Sequence, residues 1–107
     1  MVIYSEQVIE LVWRKGQVVP GYNPSQWRKD FAGAWINRNA YGMQGDYGWG
    51  IDHKRPLSKG GEESISNLIP CQWLNNVAKG NSFPEFKSKI TSKGERNVKS
   101  ARVWIIN

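Results

Sequence analysis

Residues 48–81 read GWGIDHKRPLSKGGEESISNLIPCQWLNNVAKGN, and the reading of this stretch decides the rest of the chain. It holds the only histidine of the 107 residues, His53, directly after a carboxylate, Asp52. Asn67 follows fourteen residues after His53 (67 − 53 = 14) and Asn76 nine after that (76 − 67 = 9). Lys79 and Gly80 close the run. A neutral imidazole is the side chain best placed to accept a proton near pH 7. A carboxylate and a side-chain amide oxygen are hard donors, suited to Mg²⁺ and poor for copper or structural zinc. Mg²⁺ typically takes one or two protein oxygens and leaves its other positions to water and phosphate. One Asp and one Asn are therefore enough for a phosphate-binding cation.

Consecutive residues of a regular strand face opposite ways. Asp52 and His53 reach one site only if the strand ends there, at the turn into Lys54–Arg55–Pro56, where Pro56 lacks a backbone donor. Gly60 and Gly61 are expected to supply positive φ for a wide loop. Ser64–Pro70 reads as a return strand, with Ile65, Leu68 and Ile69 as its apolar content. Gln72–Lys79 reads as a short helix stopped by Gly80. Strand, loop, strand and helix would bring Asp52, His53 and Asn76 together.

The stretch resembles the HNH endonuclease family, whose core is the ββα-metal motif. The DH pair, the PLSKGG loop, the SNL step and the NN-x-x-KGN ending stand in the family's order and spacing. It is most similar to the small bacterial and phage branch with YGW-x-IDH before the histidine and QW-x-NN in the helix. The likeness extends back to about Val12 through VWRKG, VPGY, WRKD and GAWI. The resemblance implies a single α+β domain over residues 1–107, with a motif core at 48–81, an N-terminal helix bracing it and a basic C-terminal extension at 82–107. It implies His53 as general base, and Asn67 as the residue that holds the loop and keeps the histidine oriented. Asp52 and Asn76 would be ligands of one divalent metal ion, Mg²⁺ first and Mn²⁺ second. Lys79, Arg55 and Lys59 are expected to meet the DNA backbone. The implied partner is double-stranded DNA, with a homodimer or larger phage or bacterial assembly for targeting. The chain departs from the family in lacking the CxxC pairs of a structural zinc, and in Gly50 and Lys54, where acidic and aliphatic residues are common. The alternative is an HNH-fold module that binds nucleic acid without cutting it.

Composition agrees with one soluble domain of this kind. No stretch approaches twenty apolar residues, so no transmembrane helix is expected. No basic region followed by an apolar run opens the chain, so a cytoplasmic setting is expected. With Cys71 as the single cysteine, neither a disulfide within the chain nor a cysteine zinc site is expected. The net charge is +6 and unevenly spread. Residues 1–78 carry eight Lys/Arg and seven Asp/Glu (8 − 7 = +1), and residues 79–107 carry seven and two (7 − 2 = +5). Such an excess suits a polyanion, because cationic side chains displace its condensed counterions.

Outside the motif, Ser5 is placed as the N-cap of a helix over Glu6–Lys15, with Val8, Leu11 and Val12 on its packing face and Gly16 ending it. Gln17–Gln26 reads as turn and loop, Trp27–Asp30 as a short turn, Phe31–Ile36 as a strand or buried bend, and Asn37–Asp46 as irregular. Arg28, Lys29 and Arg38 are candidate phosphate contacts. Trp49 and Trp73 are expected as core wedges and Cys71 as a packing residue. Ser82 is placed as the cap of a second short helix, Thr91–Ser100 as an exposed arm and Arg102–Ile106 as a terminal strand.

Overall fold

The computed structural model describes residues 3–105. The chain runs α1 (Glu6–Trp13), β1 (Trp27–Lys29), β2 (Trp35–Asn37), β3 (Trp49–His53), β4 (Leu68–Gln72), α2 (Trp73–Lys79), β5 (Glu85–Lys93) and β6 (Arg96–Ile105). The strands form three separate antiparallel pairs, β1–β2, β3–β4 and β5–β6. The fold is a small mixed α+β domain with a radius of gyration of 13.0 Å, the size of one folded unit of this length. No helix among the described residues is long and apolar enough to cross a membrane.

α1 starts where Ser5 caps it, its hydroxyl accepting from the Val8 N–H. Its buried face is Ile9, Val12 and Trp13, at the i, i+3, i+4 spacing of one helical stripe. Leu11, expected on that face, is 48% exposed. The helix ends at Trp13 rather than at Lys15. Lys15 instead reaches across to the C=O groups of Ile65 and Leu68, tying the end of α1 to the loop before β4. Ile9, Val12 and Trp13 pack with Ile36, Trp49 and Leu68 as the core, and Ile51 lies against it. The N-terminal helix therefore braces the β3–β4 pair, meeting Trp49 and Ile51 of β3 and, more closely, Leu68 of β4 and the turn before it.

β3 pairs with β4 from Trp49↔Gln72 to His53↔Leu68. β4 starts at Leu68 rather than Ser64, because Ile65–Asn67 winds into one 3₁₀ turn first. Gly60 has φ 86°, the left-handed conformation the loop requires. Gly61 has no positive φ, contrary to expectation; its need is closeness, since a Cβ there would sit 1.8 Å from the Arg55 carbonyl oxygen. Gln72 caps α2 by accepting from the Leu74 and Asn75 N–H groups, and Gly80 closes it.

Three segments differ from the sequence reading. Trp27–Lys29 is a strand, not a turn. The expected helix after Ser82 is absent, since Glu85 opens β5. The expected arm is the hairpin β5–β6, turning at Gly94–Glu95 with Lys93↔Arg96 as its last pair. The expected terminal strand is part of β6, and Ile106 lies outside the described residues.

Two polar side chains lock α2 between these pairs. Asp30 is 1% exposed and its carboxylate accepts from the N–H groups of Ala32, Ala34 and Gln72 and from the Asn75 amide. Burial pushes the Asp30 carboxyl up, and these four donors pull it back. Asn75, fully buried, accepts from the N–H groups of Lys89 and Ile90 and donates to the Ile90 C=O. Its amide thus satisfies the edge of β5 as a neighbouring strand would, next to the register shift between Ser88 and Ile90.

Candidate active site

Asp52 and His53 are the last two residues of β3 and lie within its ladder, opposite Ile69 and Leu68. β3 ends at His53, at the turn into Lys54–Arg55–Pro56 as expected, and the two side chains meet different partners. Asp52 turns towards α2. Its Oδ2 lies 2.7 Å from the Nζ of Lys79. The contact is an ion pair without hydrogen-bond geometry, so Oδ2 is buried with no directed donor. Asn76 stands on the same side: a Cβ built on Gly50 would lie 3.6 Å from Asn76 Nδ2, and residues 50 and 52 share one face of β3. Asn76 and Lys79, three apart on α2, share a face of the helix. The structure therefore gathers Asp52, Asn76 and Lys79 between β3 and α2.

Lys79 corrects the sequence reading. Expected to face the DNA backbone, it is instead fully buried. Its ammonium donates to the His53 C=O at 2.7 Å while pairing with Asp52. A buried cation survives only with such partners, and no free face remains to meet a phosphate.

His53 is held from the loop. Its Nε2 lies 2.7 Å from Glu63 Oε2, and the other carboxylate oxygen, Oε1, accepts from the Tyr4 hydroxyl at 2.8 Å. The Tyr4 hydroxyl first, then the His53 ring, hold the Glu63 carboxyl below its ordinary value. Burial, followed by Glu63, pushes the Tyr4 hydroxyl up. An ionised carboxylate only accepts, so the contact with Glu63 calls for a proton on Nε2. Glu63 and Tyr4 carry no mark in the sequence that singles them out. Glu62 and Glu63 are neighbours of one type in a glycine-rich loop, and only the loop's course decides which meets the ring. With one histidine in the chain, imidazole ¹⁵N spectra report this directly. The wild-type ring is expected as the Nε2–H tautomer, and Glu63→Ala is expected to mix the two tautomers. A wild-type ring protonated at Nδ1 would remove Glu63 from this role.

Asn67 holds the loop and does not touch the imidazole. Its Oδ1 accepts from the Arg55 N–H, and its Nδ2 donates to the C=O groups of Arg55 and Glu62 at 3.0 and 2.8 Å. It bears on His53 through the residues beside it, its own C=O accepting from the Lys54 N–H at 2.8 Å, and through the loop that carries Glu63. Arg55 and Lys59 are exposed on this loop. The Arg55 guanidinium donates to the Lys59 C=O and lies 5.1 Å from the Phe83 ring centroid.

The other candidate cations are engaged internally. Arg28 donates to the C=O groups of Arg14, Gly16 and Pro24. Arg38 pairs with Glu10 and Glu6, and the Lys29 ammonium lies 4.8 Å from the Trp35 ring centroid. Trp49 is the expected core wedge at 1% exposure, although its buried Nε1 finds no acceptor. Trp73 is only partly buried. Cys71 is fully buried, and burial pushes its thiol well up, which leaves it a packing residue.

Among the described residues no three His, Cys, Asp or Glu side chains gather as a metal-binding group. The carboxylate that Asp52 offers is thus a single one, the low ligand count that Mg²⁺ tolerates. No protein-family model, no curated protein sequence and no solved structure matches the chain.

Proposed function

We propose that the chain is a divalent-metal-dependent endonuclease of the HNH type, with β3, β4 and α2 as its ββα-metal core, cutting double-stranded DNA. The observation that carries the reading is at the end of β3. There the Asp52 carboxylate, whose buried Oδ2 is met only by the Lys79 ammonium among the described residues, precedes an imidazole whose Nε2 is anchored by Glu63. The residues that would hold a cation of the Mg²⁺ class are Asp52 and Asn76, which offer hard oxygens on one side of β3. When bound there, the ion would polarise the phosphate and steady the charge on the departing 3′ oxygen.

The chain's own part follows from its geometry. In its Nε2–H tautomer, His53 takes a proton from water at Nδ1 as the water oxygen bonds to phosphorus and the P–O3′ bond breaks, and the departing 3′ oxygen takes its proton from solvent. Glu63 holds the imidazolium that results, through Nε2–H. The products by this reading are a 5′-phosphate and a 3′-hydroxyl. Arg55 and Lys59, exposed on the loop, meet flanking phosphates. A hollow of about 300 Å³ beside this loop, lined by Arg55 and Asn67 among others, offers room for the backbone. A cytoplasmic setting in a bacterial cell or phage-infected host goes with this reading, as does targeting by a homodimer or larger assembly.

Supercoiled plasmid tests it. Nicking is expected with Mg²⁺ or Mn²⁺ and not with EDTA, and His53→Ala is expected to keep the fold and lose on the order of 10²- to 10⁴-fold in rate. Nicking by that variant at the wild-type rate takes His53 out of the mechanism. One observation favours the second reading, a domain that binds DNA without cutting it: the Lys79 ammonium already neutralises Asp52. Gel retardation of the plasmid without metal-dependent nicking would select that reading.

A further inference from the structure

The hairpin β5–β6 is the element that the candidate active site leaves unused. One side of β5 is committed to the body of the protein: Phe86, Ser88 and Ile90 are buried, Phe86 stacks edge-on against Phe31, and Asn75 holds the Ile90 backbone. The other side of β5 and nearly all of β6 are exposed or half-exposed, and no third strand joins the pair. Six cations stand on this ribbon, Lys87, Lys89, Lys93, Arg96, Lys99 and Arg102, and all six are exposed. None pairs with a carboxylate among the described residues. The acids of the ribbon are Glu85 and Glu95, and the Glu95 carboxylate is taken by the Tyr22 hydroxyl.

A solvated surface normally mixes the two signs of charge. Here six cations without a carboxylate partner share one antiparallel ribbon: Lys87 and Lys89 stand on the outer side of β5, while Lys99 and Arg102 lie opposite Ile90 and Ser88 on the exposed strand β6, with the Arg102 guanidinium 4.4 Å over the Trp104 ring. Strands of 9 and 10 residues at roughly 3.3 Å per residue span about 30 Å. That is close to one turn of B-DNA, about 34 Å. The major groove of the duplex, about 12 Å wide, admits a two-stranded ribbon. We propose that β5–β6 is the duplex-anchoring element of this protein, seated in the major groove of double-stranded DNA with its cations on the flanking phosphates. The inference takes DNA as partner from the functional reading above, and it adds which surface holds the DNA and that the DNA is a duplex. It does not require cleavage.

Binding is measured in EDTA, where no cutting occurs, by fluorescence anisotropy with a labelled duplex and with one of its single strands, across a salt series. The duplex is expected to bind more tightly than the strand. Lys89→Gln/Lys99→Gln is expected to weaken duplex binding by roughly tenfold at low salt and to reduce the slope of log K against log[salt] by about 1.8, or about 0.9 for each phosphate no longer neutralised. Lys89→Arg/Lys99→Arg, which keeps the charge, retains the wild-type slope. Arg14→Gln/Lys29→Gln removes the same charge away from the ribbon, at the end of α1 and in β1, where Arg14 is paired with Glu10 and Lys29 lies over Trp35, and is expected to change the slope by well under one. Melting temperatures close to wild type confirm that the substitutions leave the fold intact. Equal losses from the ribbon and the α1/β1 pair, tighter binding to the single strand, or no binding to either DNA would overturn the proposal. Metal-dependent nicking that persists with an unchanged slope in the ribbon variant would overturn the ribbon alone and leave the nuclease reading standing. A ribbon-dependent duplex affinity with no nicking would do the reverse.

Discussion

Replacing Asn75 with alanine is expected to destabilise the protein by about 4 kcal/mol, while the same change at Asn76 is expected to cost within about 0.5 kcal/mol. The two asparagines are adjacent in sequence, roughly 100° apart around α2, and only Asn75 is fully buried. Asn75 is fully buried, and its removal leaves the Lys89 and Ile90 N–H groups and the Ile90 C=O without a partner, and takes one donor from Asp30. A buried polar group left unpaired costs about 1–3 kcal/mol, and the losses at one site do not add in full. At roughly 4–8 °C per kcal/mol, the melting temperature of Asn75→Ala should fall by about 15–30 °C. Asn76 is only partly buried and makes no side-chain hydrogen bond to the described residues. Asn76→Ala should melt near wild type in EDTA and lose Mg²⁺-dependent nicking. Thermal melts of both variants in EDTA check the pair. An Asn75→Ala protein that melts with wild type would show that the Asp30–Asn75 hub does not hold β5 to α2.

Lys79→Met is the second large effect. It leaves the Asp52 carboxylate, 17% exposed, without its counter-charge, and the His53 C=O without its donor. Removing one partner of a buried pair costs about 3–5 kcal/mol. Because Asp52 keeps some contact with water, about 3 kcal/mol is expected, or roughly 12–24 °C of melting temperature. The remaining negative charge is what a divalent ion would neutralise. Mg²⁺ should therefore raise the melting temperature of Lys79→Met more than that of wild type, by up to about 2.7 kcal/mol of stabilisation at a hundredfold excess over the dissociation constant. Adding Asp52→Asn removes the stranded charge, so the double variant should be more stable than Lys79→Met in EDTA and should not respond to Mg²⁺. Equal Mg²⁺ shifts in wild type, Lys79→Met and the double variant would show that Asp52 is not a ligand.

The path of the chain through the candidate site is largely legible in the sequence. The Asp-His pair before Pro56, the glycine pair of the loop and the run from Gln72 to Gly80 mark local events, and strand, loop, strand and helix follow in that order. The interior partners are less so. Lys79 is one of seven cations in the basic C-terminal part, and nothing in charge alone separates it from the six that are exposed. Its spacing from Asn76 is the available signal, since two residues three apart on a helix share a face. Glu63 has no such signal, because its meeting with His53 depends on the loop clamped by Asn67 and Gly61. The hairpin reads wrongly as a helix because Phe86 and Ile90 are four apart, which fits one face of a helix as well as alternate positions of a strand. Gly94, with φ 62°, at a two-residue turn is the mark of the hairpin.

Sequence by itself determined the local conformations: where α1 starts at Ser5, where α2 is capped by Gln72 and closed by Gly80, and that Asp52 and His53 close one strand. These depend on backbone preferences and near-neighbour hydrogen bonds, which act over a few residues. Tertiary structure alone decided which face each polar group meets. It buried Lys79 against Asp52, gave His53 to Glu63, which Tyr4 holds in turn, and made Asn75 a partner for the edge of β5. Those pairings join residues up to 59 positions apart, and the cost of burying a charge or an amide is set by what folding brings beside it.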